Sequence, residues 1–339
     1  MNQGPILSIV SPVYNEEACL SEFLKRVQLA SRALGITHEI ILVDDGSVDR
    51  SWQIIEDARR DNSAIRAVRF SRNFGHHVAL SAGLDHASGE WVVVMDSDLQ
   101  DNPDEIAVLY HKAQEGFDVV LGRRASRRHG ALKQLLARLF YRCLNYLSDG
   151  AFDPRVGVFR IMSRQVVCEV CRLREVSRFF SGLVAWVGFR QTSVDVLHGA
   201  RFAGDTKYPL RRQIALAVDA LLAFSEKPLK LAIYVGTSFA GIGIFYAMVI
   251  VVRAMLGQIA VLGYASLMSA ILVVGGVSTM TIGLVGVYVG RVFKQVKARP
   301  LYVISERLNF AADHSSAWLD PLSNWPMSDP ERISQGEKV

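Results

Sequence analysis

Cysteine is scarce in this chain, with four among 339 residues: Cys19, Cys143, Cys168 and Cys171. So thin and uneven a set builds no disulfide framework, and reduced thiols are expected. Cys168 and Cys171 have the spacing of half a zinc site, but no second pair or histidine partner follows, which favours core or helix-surface thiols. Glycine-rich phosphate loops of the dinucleotide and P-loop kinds are absent, and nothing resembles a nucleic-acid-binding motif. A secretory signal is absent too: Ile6 to Val10 is too short for its apolar region, lacks a basic flank and runs into Pro12 and acidic residues. Residues 1–228 are therefore expected to stay in the cytoplasm.

Charge is missing from two long stretches. Leu231 to Val252 carries none over 22 positions and Ala254 to Gly290 none over 37, in a chain that is 50% hydrophobic with mean hydropathy +0.20. Each run accommodates a membrane-spanning helix of about 20 residues. Lys227 and Lys230 precede the first run, Arg291, Lys294, Lys297 and Arg299 follow the second, and only Arg253 lies between. The excess of basic residues outside the hairpin predicts that both termini face the cytoplasm.

The net charge of +5 is concentrated. Arg123, Arg124, Arg127, Arg128, Lys133, Arg138 and Arg142 form one basic region, and Lys207, Arg211 and Arg212 another. Both suit anionic lipid headgroups or phosphorylated substrates; nucleic acid is not expected as a partner. Apolar stripes at helical spacing within about 131–148 and 209–225 read as basic amphipathic helices, which either pack on the domain or lie in the membrane interface; the second leads directly into the first uncharged run, which favours the interface for both.

The rest alternates strand and helix. Ile6 to Val10 reads as a strand ending near Pro12, Tyr14 and Asn15, with Asn15 as N-cap of a helix that buries Leu20, Phe23, Leu24 and Val27. Glu39 to Val43 is a strand ending in Asp44-Asp45-Gly46-Ser47, and Ile65 to Phe70 leads to Arg72-Asn73-Phe74-Gly75. Trp91 to Met95 is a continuous apolar run, as in a central strand buried on both faces, and it ends in Asp96-Ser97-Asp98-Leu99-Gln100. A mostly parallel α/β sheet follows from this alternation, with ligands expected at the carboxyl ends of its strands. Asp96 and Asp98 together suit Mg2+ or Mn2+ and, through it, a diphosphate. Asp44 and Asp45 suit the hydrogen-bond donors of a ribose or base.

These motifs, taken in order with Arg201 to Tyr208, the hairpin and Arg299-Pro300, resemble the family-2 glycosyltransferases of GT-A fold that make polyprenyl-phosphate sugars. The resemblance implies a GT-A (Rossmann-like) nucleotide-sugar domain with interfacial helices over 1–228, two transmembrane helices over 229–292 and a cytoplasmic tail over 293–339. It implies that Pro12, Tyr14, Glu16, Asp44, Asp45 and Asp96 hold the nucleotide, and that Asp96, Asp98 and Gln100 surround Mg2+ or Mn2+. Asp153 and Asp98 become the catalytic residues, and Arg123, Arg201 and Lys207 face the acceptor phosphate. The Gln-x-x-Arg-Trp signature of processive synthases is absent, which favours a single transfer.

The expected activity is transfer of one sugar, with inversion, from a UDP-sugar to undecaprenyl phosphate at the cytoplasmic face of a bacterial inner membrane. GDP-mannose as donor is the alternative; a processive polysaccharide synthase and a non-catalytic nucleotide-binding membrane protein rank lower. Membrane lipids are expected partners, as is a homo-oligomer, up to a tetramer, held by the spans and Leu301 to Phe310.

Overall fold

A computed structural model describes residues 4–124, 156–176, 178–197, 199, 227–256 and 264–310. Its centre is β1 (Leu7–Val13), all seven residues buried, flanked in parallel by β2 (His38–Asp44) and β4 (Trp91–Val94). With β3 (Ile65–Phe70), β5 (Val119–Arg124), β6 (Val156–Ser163), β7 (Gln191–Val196) and β8 (Ile304–Leu308), the sheet runs β7-β5-β6-β4-β1-β2-β3-β8. The order reverses between β1 and β4, which opens a crevice at their carboxyl ends.

The sheet is mixed, which qualifies the parallel expectation. β6 runs antiparallel to both β4 and β5, and β8 antiparallel to β3. Neither β7 nor β8 shows an apolar run in the sequence; each has a half-exposed or polar face.

Helices cover both faces. α1 (Leu20–Ala33), α2 (Ser51–Asp61) and α4 (Ile106–Ala113) bury Leu20, Phe23, Ile55 and Leu109 on one side. α3 (His76–His86), α5 (Arg164–Arg172) and α6 (Phe180–Trp186) bury Leu80, Leu84, Val166 and Val184 on the other. α3 packs so close to β1 that a Cβ on Gly83 would come within 2.2 Å of the Val10 side chain. α1 begins at Leu20 after Cys19, so Asn15 is not its cap; Asn15 lies at φ 54 in the preceding loop.

α7 (Lys227–Met255) and α8 (Tyr264–Val296) leave Ile242, Phe245, Met280 and Ile282 65–79% exposed. That much apolar surface calls for an apolar medium. Thr237, Ser238, Thr279 and Thr281 donate to carbonyls four residues back, so these hydroxyls need no water. Among the described residues Val273–Val296 is long and apolar enough to cross a membrane, and α7 contributes the shorter apolar stretch Ala232–Tyr246.

Beyond α8 the chain returns to the sheet. β8 extends the β3 edge, Tyr302 stacks on Phe70 with centroids 5.1 Å apart, and Gln295 bonds Val176 N and the Arg174 carbonyl at 2.9 and 3.1 Å. The segment Leu301 to Phe310 is thus engaged on the sheet of its own chain. Asp85 anchors it. Its carboxylate accepts two bonds of 2.8 Å from Arg174 and one of 2.7 Å from the Tyr302 hydroxyl.

Asp85→Ala should therefore leave a half-buried guanidinium and a buried hydroxyl without their acceptor, costing roughly 2–3 kcal/mol. In thermal melts of the detergent-solubilised protein the midpoint should fall by about 4–8 °C. Tyr302→Phe should cost less, near 1 kcal/mol, since only one hydrogen bond goes.

Candidate functional site

Three loops meet at the carboxyl ends of β1, β2 and β4. From β1, Tyr14 is 41% exposed beside the buried Pro12, and Asn15 N donates to Ser47 Oγ at 3.0 Å. The Asn15 side chain accepts from Val48 N at 2.9 Å, and Glu16 N donates to Ser51 Oγ at 2.9 Å. The loops after β1 and β2 are thus laced together. Cys19 completes the tie to the loop after β4: its thiol sulfur lies 3.2 Å from Glu16 Oε2 and 3.4 Å from the Ser97 carbonyl, within reach of either acceptor. Ser97 Oγ in turn donates to the Pro12 carbonyl at 2.9 Å.

Asp44 and Asp45 are both buried, at 0% and 3% exposure. Asp44 accepts from Ser47 N at 3.2 Å, and its other oxygen lies 3.3 Å from Arg69 Nε. Burial dominates, so its pKa is raised above 3.8 despite the bonds to Ser47 and the charge of Arg69. Asp45 is raised for the same reason, against amide bonds from Phe74 and Gly75. Those bonds, 2.6 Å from Phe74 N and 3.0 Å from Gly75 N, fasten the Arg72–Gly75 loop over the end of β2. A Cβ on Gly46 would sit 2.6 Å from the Arg72 carbonyl carbon, and its φ of +71° also demands glycine.

That fastened loop opens α3, whose first residue, His76, has Nε2 3.5 Å from Asp96 Oδ1. Asp98 is 8% exposed and one of its oxygens accepts from Gln100 N at 3.1 Å, across Leu99 at φ 60. The Gln100 carbonyl accepts from Gly199 N at 2.9 Å, which holds that residue against this loop. His77, next along α3, is held neutral: burial, then the charges of His76, Arg160 and Arg178, push its pKa down to about 3.

Among the described residues no group of three or more His, Cys, Asp or Glu is arranged to hold a metal by itself. Asp96 and Asp98 fit an ion that takes one or two carboxylates and completes its shell with phosphate oxygens and water, as Mg2+ does. Arg123 pairs with Asp195 across β5 and β7, its Nε and Nη2 donating at 2.6 and 3.0 Å. Asp153, Arg201, Lys207 and the two amphipathic stretches lie outside the described residues. Arg69, His76 and Cys19 were not singled out from the sequence. Only the position of His76, immediately after Arg72-Asn73-Phe74-Gly75, gave a signal.

Comparison with known proteins bears on this arrangement. Residues 8–169 match the model of glycosyl transferase family 2, and residues 227–292 that of the GtrB C-terminal hairpin. An uncharacterized glycosyltransferase of Synechocystis is 42% identical over 88% of this chain and 95% of its own. The bactoprenol glucosyl transferase of Shigella phage SfII is 37% identical over 88% of this chain and 97% of its own, and a prophage bactoprenol glucosyl transferase homolog of Escherichia coli is 36% identical over 88% and 98%.

 A glucosyl-3-phosphoglycerate synthase structure from Mycobacterium tuberculosis superposes with TM-score 0.46 at 21% identity over 65% of this chain and 78% of that one, a likeness that carries no weight for the chemistry.

The raised pKa of Asp44 has a consequence for stability. A carboxyl raised on folding favours the folded state fully below its unfolded pKa, and that contribution is lost as pH rises through the folded value. Asp44→Asn removes the titration, so its melting midpoint should gain on wild type as pH climbs from about 4 towards neutrality. Melts of both proteins across that range check it; a constant difference would mean that Asp44 carries no burial penalty.

Proposed function

The chain belongs to glycosyl transferase family 2, and from that premise we propose that it transfers one sugar from a nucleotide-sugar, a UDP-sugar by preference, to a polyprenyl phosphate in the membrane. The observation that carries the reading is the lacing of the Asp44/Asp45 and Asp96/Asp98 loops about the end of β1, in a chain that also has an apolar hairpin. A lipid acceptor requires an enzyme held at the bilayer, and relatives named as bactoprenol glucosyl transferases match over both parts. We assign α7 and α8 as two spans with both termini cytoplasmic, and the spans as the surface on which copies would meet.

In this reading Pro12, Tyr14, Glu16, Asp44 and Asp45 bind the nucleoside, and Asp96, Asp98 and Gln100 hold Mg2+ or Mn2+. The bound ion supplies positive charge to the departing diphosphate. An acceptor phosphate is already largely anionic near neutral pH, so the protein has little need to create a nucleophile. Its task is to overcome repulsion between two anions, which assigns Arg201 and Lys207 to the acceptor phosphate. Arg123 joins them, with Asp195 fixing its guanidinium. Asp153 orients the acceptor or takes a proton. Attack in line with the leaving diphosphate inverts the anomeric centre.

Incubating the full chain in detergent with radiolabelled UDP-sugars, undecaprenyl phosphate and Mg2+ tests the proposal. One lipid-linked sugar per acceptor is expected; polymer or no product overturns it. EDTA should abolish the reaction, and Asp98→Asn should lower kcat by about 100-fold or more while the melting midpoint stays put.

A further inference from the structure

Arg69 stands between two carboxylates. Its Nε lies 3.3 Å from Asp44 Oδ2, and its Nη1 donates to Glu306 Oε1 at 3.0 Å. The second oxygen of Glu306 accepts from the Trp52 indole at 3.3 Å, and the Arg69 guanidinium sits 5.5 Å from the centre of that ring. Arg69 and Glu306 face each other directly in the β3–β8 register, so the pair is built into the sheet.

Exposure grades along this series. The Glu306 side chain is 45% exposed, Arg69 31% and Asp44 0%. An isolated surface pair would matter little. Here the arginine reaches a wholly buried carboxylate, where a permanent positive charge acts through a low dielectric. Glu306 and Arg69 are 237 residues apart in the chain, and Glu306 comes from the strand that follows the apolar hairpin.

We propose that Glu306 is a positioning residue for the donor nucleotide, holding the Arg69 guanidinium at a fixed standoff so that Asp44 keeps its acceptor capacity for the ligand. The inference rests on the reading that Asp44 binds the nucleoside. Without the Glu306 charge, Asp44 is the carboxylate left to Arg69 among the described residues, and the arginine closes on it as a private counter-ion. The donor then competes with a side chain for the same oxygens. A segment beyond the membrane helices thereby contributes to nucleotide affinity, although it lies outside the loops that bind the nucleotide.

The test uses the full chain in detergent with Mg2+, titrated with UDP and with GDP by calorimetry, alongside steady-state kinetics and thermal melts. Glu306→Gln keeps the size and the indole contact but removes the charge. It should weaken binding of the preferred nucleotide about 10-fold and raise donor KM to match, with kcat, acceptor KM and melting midpoint unchanged. Glu306→Asp should restore most of the affinity. In an Arg69→Gln background Glu306→Gln should add less than about twofold, because both act through one contact. Unchanged nucleotide affinity in Glu306→Gln, with Asp44→Asn weakened, overturns the positioning role and leaves the nucleotide site standing. Unchanged affinity in Asp44→Asn overturns the underlying reading. A joint fall in donor affinity, acceptor KM and melting midpoint would make Glu306 merely structural.

Discussion

Two carboxylates buried at the end of β2 set the terms for the surrounding structure. Burial raises the pKa of both Asp44 and Asp45, so each charge is held in place against its own desolvation. The fold meets that cost with backbone amides and one arginine: Ser47 and Arg69 for Asp44, Phe74 and Gly75 for Asp45. These partners come from three segments: the turn after β2, strand β3 and the Arg72–Gly75 loop. Securing the carboxylates therefore also closes the Arg72–Gly75 loop and sets where α3 begins, which brings His76 beside Asp96.

The lacing at the end of β1 follows the same economy of short polar groups. Ser47, Ser51, Ser97 and Cys19 bind backbone or carboxylate groups of neighbouring loops, and all four are buried. Small side chains lose little rotamer freedom when fixed, so a rigid crevice is built without bulky residues filling it. Its walls then leave Tyr14 partly exposed and Asp96 and Asp98 at the switch point between β1 and β4. Charge placement is the chemistry such a crevice offers.

The apolar helices and the α/β part are coupled where the chain leaves α8. Gln295 bonds the loop at Arg174 and Val176, Asp85 gathers Arg174 and Tyr302, and β8 covers the edge of β3. A bare edge strand invites pairing with other chains, and β8 occupies that edge from within. It also fixes the domain against the end of an apolar helix.

How much of this was legible depended on whether a signal was local. The central strand at Trp91, the carboxylates after β2 and β4, the apolar face of α1 and the uncharged runs all come from residues adjacent in sequence or at one fixed period. Interactions between distant residues left no such trace. Asn15 reads as a helix cap, yet its side chain accepts from Val48 in another loop. β8 has polar residues over its exposed face, so nothing in its own pattern marks it as part of the sheet; its partner strand decides that. Arg69 and Glu306 are ordinary charged residues until pairing of β3 with β8 sets them opposite each other next to Asp44. The sequence by itself determined the residue types at the strand ends and the apolar hairpin, because burial and periodicity act on neighbours. The tertiary structure decided which of those residues share a charge, because that depends on contacts between segments that only folding brings together.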